Sequence, residues 1–106
     1  MNNNNIDVTL AERGTRYGVF SGHAKITQDL KRAMTASPKW TTLRDDQKEA
    51  LEMVQHKIGR ILNGDPDYQD SWTDIIGYTR LVENDLVDRQ KANVVPVAVM
   101  LAKHKR

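Results

Sequence analysis

The chain has no cysteine. Disulfides, thiolate metal centres and cysteine nucleophiles are therefore excluded, and the composition suits a reducing compartment. It has no long apolar run. The longest, Val94 to Ala102, is broken by a proline and is far too short to span a bilayer. The N-terminus is rich in asparagine rather than basic and then apolar, so it does not read as a signal peptide. A cytoplasmic protein without a membrane role is the expectation. No strong charge excess is present either. The formal charge is +2 and the pI about 9.0, too weak a bias to argue for nucleic acid and of the wrong sign for a DNA mimic. No DNA-binding motif is recognisable, so nucleic acid is not an expected partner. Internal repeats and convincing strand alternation are also missing.

What remains is the pattern of an all-α protein. With 106 residues, 39% hydrophobic and 28% charged, the chain has the size and composition of one soluble globular domain. Residues 1–8 read as a flexible N-terminal tail, 9–90 as a helical domain, and 91–106 as a C-terminal arm or short helix. Gly14, Gly18 and Gly22 punctuate the start, and "RYGVF" reads as a packed loop. A first helix is expected from His23 to Ala36, with Ile26, Leu30, Ala33 and Met34 at helical spacing, Ser21 as its cap and Pro38 ending it. The second, Asp45 to Leu62, carries Leu51, Val54, Ile58, Ile61 and Leu62 as one stripe. Asn63-Gly64 is its stop, since both residues tolerate a left-handed backbone. The third, Asp70 to about Asp88, carries Trp72, Ile75, Thr79, Val82 and Leu86. The spacing thus predicts a small bundle of three main helices plus a C-terminal segment, extended or starting a helix at Pro96. Three helices make a thin core, so a homo-oligomer is expected.

The chemistry-bearing residues lie opposite those stripes. Glu49, Glu52 and His56 follow i, i+3, i+7 and share one face of the second helix; Asp70 and Asp74 share a face of the third with Gly77. If the two faces meet, Glu49, Glu52, Asp70 and Asp74 converge into a set of hard oxygens suited to Mg²⁺ or Mn²⁺. Such an ion binds phosphates and activates water. Lys57 and Arg60 would meet phosphate charge, with His56 and Tyr78 as further substrate contacts; no residue is assigned a catalytic role. The same side chains also serve as ordinary pairs, Lys48 with Glu52 and Glu52 with His56. Asp65, Asp67 and Asp70 fit turn and cap positions equally well.

The segments Tyr17-Gly18-Val19-Phe20, "EALEMVQHKIGRILNGDP" (Glu49 to Pro66) and "DSWTDIIGY" (Asp70 to Tyr78) resemble a small family of unknown function frequent in tailed phages and prophages. The resemblance spans about residues 12 to 88. More distantly, that family resembles the all-α MazG-like nucleoside triphosphate pyrophosphatases. Those hold Mg²⁺ with an ExxE pair on one helix and an ExxD pair on the next, and they work as dimers or tetramers. The likeness implies that Glu49 and Glu52 match the first pair and Asp74 the last acid. Ser71 stands where the third acid belongs, with Asp70 one position early. Two functions follow as expectations. One is a Mg²⁺-dependent phage nucleotide pyrophosphohydrolase. The other is a non-catalytic phage accessory protein that binds a nucleotide signal or a host protein, for example to block a host defence.

Overall fold

The computed structural model describes the backbone of residues 2–105 and the side chains of residues 5–93. Among them the chain is helical throughout, with four α-helices rather than the three main ones expected. They are α1 (Asn2–Tyr17), α2 (Phe20–Thr35), α3 (Asp45–Asn63) and α4 (Gln69–Lys105), with a 3₁₀ turn at Trp40–Thr42. The extra helix is α1. The sequence reading made 1–8 a tail and "RYGVF" a loop; in the structure helix runs to Tyr17, and only Gly18 and Val19 separate it from α2. Glycine 14 lies inside α1 in open space, where its cost of about 1 kcal/mol relative to alanine does not stop a helix. Helix α2 begins three residues earlier than expected and its N-cap is Val19, with no side-chain cap from Ser21. The C-terminal segment 91–105 is neither an arm nor a separate helix, because α4 continues through it.

Helix α3 matches its expected bounds to one residue. Asp45 and Asp46 occupy its first turn, where they complement the helix dipole. The Gln47 side chain accepts a hydrogen bond from the Arg44 backbone N–H at 3.0 Å, completing the cap. Its far end is anchored for a different reason than expected. Gly64 has φ −135°, not a left-handed backbone. It is needed because a Cβ there would lie 2.1 Å from the Arg16 carbonyl oxygen. The segment 63–65 is pressed against the α1–α2 turn. Asp65 N–H donates to the Arg16 carbonyl at 2.6 Å, and the Asn63 side-chain amide donates to the carbonyls of Tyr17 and Val19, both at 2.8 Å. Gly18, at φ +78°, is the one residue here with a left-handed backbone, a conformation glycine adopts without strain. Beyond the turn, Asp65 Oδ1 accepts from Asp67 N–H at 2.9 Å, as its turn role required. Trp72 donates its indole N–H to the Pro66 carbonyl at 2.7 Å.

Helix α3 is the centre of the molecule, with α2 on one side and α4 on the other. Against α2, Gly59 lets the backbones close in; a Cβ there would meet Thr27 Cγ2 at 2.6 Å. Toward α4, Leu43, Ala50, Leu51 and Val54 face Thr79, Val82 and Leu86 across an apolar groove of about 330 Å³. This arrangement leaves the expected core stripes half covered. Ala50 is the one buried hydrophobic among the described residues, while Leu51, Leu62 and Trp72 of those stripes are 41%, 65% and 51% exposed, and Ile76 and Leu81, outside them, are 62% and 67% exposed. The molecule is long, at 72 × 30 × 27 Å with a radius of gyration of 20.3 Å, where a compact chain of this length would have about 13 Å.

Candidate functional site

Helix α3 packs against α2 and α4, and the residues that the spacing had grouped meet different neighbours along its length. One residue advances a helix by about 100°, so α3 offers different residues to α2 and to α4. Glu49 stands on the α4 side, with Asp46 and Ala50 beside a hollow of about 250 Å³ that Tyr78 also lines. Lys57, only 8% exposed, reaches across to Asp74 at 3.0 Å. His56 and Arg60, further along α3 and on nearly the same face as Glu49, line a cleft with α1 and α2. Asp70 sits in the first turn of α4 rather than at its cap and accepts the Tyr68 hydroxyl at 2.9 Å. Ser71, the neighbour that replaces the third acid of the resemblance, is 3% exposed, whereas Asp70 is exposed.

The four acids therefore do not gather within one chain, and no three His, Asp or Glu side chains among the described residues stand close enough to share a metal ion. Asp74 is held by Lys57. Glu49 and Glu52 make no salt bridge among the described residues. Gly77, expected to admit a close approach, lies in open space with nothing within 4 Å of a Cβ placed there.

What the structure assembles instead is a cleft of about 490 Å³ between α1, α2 and α3. Arg13 and Tyr17 enter it from α1, Phe20 and His23 from α2, and His56 and Arg60 from α3. Gly18 turns the chain so that Tyr17 and Phe20 reach the same cavity. The Arg60 guanidinium lies over the Tyr17 ring, 4.2 Å from its centroid, a favourable cation–π geometry. Behind them the two imidazoles meet edge to face, with His23 Nε2 3.4 Å from His56 Nδ1. Gly59 gives them room, since a Cβ there would press on the His23 ring at 3.2 Å.

Both histidines are held neutral. Burial lowers the His56 pKa to about 4, helped by the positive charge of Arg60 and by His23. Burial and then Arg60 lower that of His23, with the Gly59 backbone opposing. A neutral imidazole can donate one hydrogen bond and accept one, so the pair offers polar contacts inside an otherwise cationic and aromatic cleft.

Of the sequence-chosen residues, His56 and Arg60 face this cleft. Lys57, Tyr78, Glu49, Asp70 and Asp74 do not line it. Arg13, Phe20 and His23 were not among the expected site residues, and Tyr17 belonged to the expected packed loop. The Tyr17 ring also stands edge-on to Tyr68 at 6.0 Å. One signal was in plain view: arginine, two aromatics and histidine lie within eleven residues around a glycine turn.

Known proteins add no relative: no family model, no curated protein and no solved structure matches the chain. No described helix is long and apolar enough to cross a membrane.

Proposed function

We propose that this chain is a phage-type, MazG-like helical protein that handles nucleotides and works as a homo-oligomer. The observation that carries the reading is one helix. Along α3, Glu49 and Glu52 make no ion pair among the described residues, and His56 and Arg60 follow on the next turns and open into a cleft of nucleotide size. Free carboxylates suit Mg²⁺ or Mn²⁺, and arginine suits the phosphates such an ion carries. In this reading Glu49 and Glu52 are the metal ligands on α3. Asp74, paired with Lys57, would have to leave that pair to join them, and Asp70 is the weaker fourth acid. The ion would supply charge neutralisation and an activated water for pyrophosphate release. The test is hydrolysis of a panel of nucleoside triphosphates with Mg²⁺. Glu52→Gln is expected to remove turnover while leaving the melting midpoint within a few degrees; full Mg²⁺-dependent activity in that variant rejects the assignment.

The oligomer is supported by area. The chain exposes 8070 Å², where a compact monomer of 12.1 kDa would expose about 6,000 Å². A surplus of about 2,000 Å² per chain is in the range that obligate assemblies bury. Sedimentation is expected to give a dimer or larger species at micromolar concentration. A monomer at that concentration argues against this part of the proposal.

A second reading is a non-catalytic accessory protein that uses the same cleft for a nucleotide signal, or its exposed apolar faces for a host protein. Its support is that Asp74 is already committed to Lys57. It expects nucleotide or host-protein binding that survives loss of the acids, without turnover.

A further inference from the structure

The arginines among the described side chains divide into two kinds. Arg16, Arg32, Arg44, Arg80 and Arg89 each pair with a carboxylate: Arg16 with Glu12, Arg32 with Asp29, Arg44 with Asp46 and Asp85, Arg80 with Glu83, and Arg89 with Asp85. Arg13 and Arg60 are the arginines among the described side chains that do not. Both of them line the cleft between α1, α2 and α3, and no acidic residue lines it. A protein with this many acids has partnered its other described arginines and left uncompensated the two that share a cavity.

The apolar side of the same cleft is equally uncommitted. Phe20 is 79% exposed and Val19 73%, although Phe and Val are among the residue types most often buried. The Phe20 ring lies tilted at 36° to that of His23, with the centroids 6.3 Å apart. Tyr17 has one face taken by Arg60. An open phenyl ring at the mouth, two free guanidiniums on the walls and two neutral imidazoles at the back suit an anion that carries a flat ring. Guanidinium meets phosphate oxygens through paired hydrogen bonds, and aromatic faces accept nucleobases by stacking.

We infer that this cleft binds the phosphate of a nucleoside monophosphate directly, without a metal ion, through Arg13 and Arg60, with the base stacked on Phe20. This deepens the nucleotide reading and rests on it for the base, but it does not use the carboxylates of α3. It also gives the histidines a role. A phosphate dianion beside them offsets the charge of Arg60, so ligand binding raises their pKa and draws a proton into the cleft below neutral pH.

The test is titration calorimetry on the full chain in EDTA, with the common nucleoside monophosphates and the matching unphosphorylated nucleosides, repeated with Mg²⁺. The histidine ring signals are followed by NMR in parallel. At least one monophosphate is expected to bind in EDTA and to shift both histidine rings. Loss of a charge-assisted contact weakens binding on the order of tenfold or more. The nucleoside, Arg13→Gln and Arg60→Gln should each show that loss. Arg80→Gln, which removes an arginine paired on the surface, should not. Arg13→Gln keeps the test valid if Arg60→Gln disturbs the fold through Tyr17. Binding seen only with Mg²⁺ overturns this inference and leaves the nucleotide reading standing. No monophosphate binding with or without metal overturns this inference, and the nucleotide reading falls with it only if the triphosphate panel shows no hydrolysis either. Binding that neither cleft-arginine variant weakens also overturns the inference.

Discussion

Gly64→Ala should abolish cooperative folding. A methyl group at position 64 would lie 2.1 Å from the Arg16 carbonyl oxygen, 2.4 Å from Tyr17 Cα and 2.6 Å from the Tyr17 carbonyl carbon. All three atoms are backbone, so no rotamer change relieves the overlap. The junction must open, and the Asp65 N–H to Arg16 bond and both Asn63 amide bonds go with it. Overpacking costs typically about 1–3 kcal/mol, and each lost hydrogen bond about 1 kcal/mol more. The sum is close to the whole stability of a domain this small, which is about 5–15 kcal/mol, and a chain with so little buried apolar surface sits low in that range. A thermal melt followed by circular dichroism should lose its sigmoid. Gly77→Ala is the control. Its added methyl meets nothing within 4 Å, and alanine in a helix interior is worth about 1 kcal/mol over glycine, so its midpoint should hold or rise. A Gly64→Ala protein that melts like the wild type would show that the docking of 63–65 on the α1–α2 turn is not what holds α1.

Acid should unfold or loosen the α2–α3 contact well before the carboxylates titrate. The sign follows from the histidines. In the folded chain His56 has its pKa lowered from 6.5 to about 4, and His23 is lowered as well. Below pH 6.5 the unfolded chain therefore binds protons that the folded chain refuses, and stability falls with pH. The contribution is complete above about pH 6.5 and is lost as pH falls toward about 4. The local chemistry agrees, because two imidazolium rings leave no acceptor between His23 and His56, and Arg60 lies beside both. Asp29 and Asp46 have pKa values held low by Lys25 and Arg32 and by Arg44, respectively. Their loss falls at lower pH and does not overlap this window. Melting midpoints should drop steadily from pH 6.5 to 4.5. His56→Gln, which cannot take a proton, should flatten the slope even if its midpoint at pH 7 is lower. A slope that His56→Gln leaves unchanged would assign the acid sensitivity elsewhere.

The sequence alone determined the helices whose caps and stripes agree. Helix α3 was legible from Asp45 to Leu62 because dipole-matched acids, a regular apolar stripe and Asn63-Gly64 all mark the same bounds. The turn role of Asp65 was legible for the same reason: its partner, the Asp67 N–H, is two residues away. Helix α1 was not legible. Its glycine and sparse apolar residues give no stripe, and it is held by Asn63, Gly64, Asp65 and Tyr68, residues about fifty positions away. Only tertiary structure decided the faces. The spacing grouped Glu49, Glu52 and His56 on one face of α3, and Asp70 and Asp74 with Gly77 on one face of α4. It could not say that α2 and α4 pack on different sides of α3, which sends Asp74 to Lys57 and His56 to His23. Only tertiary structure, too, brought Arg13 and Arg60 into one cavity. They are 47 positions apart in the chain, and that they alone lack a carboxylate among the described arginines depends on where every other helix places its acids.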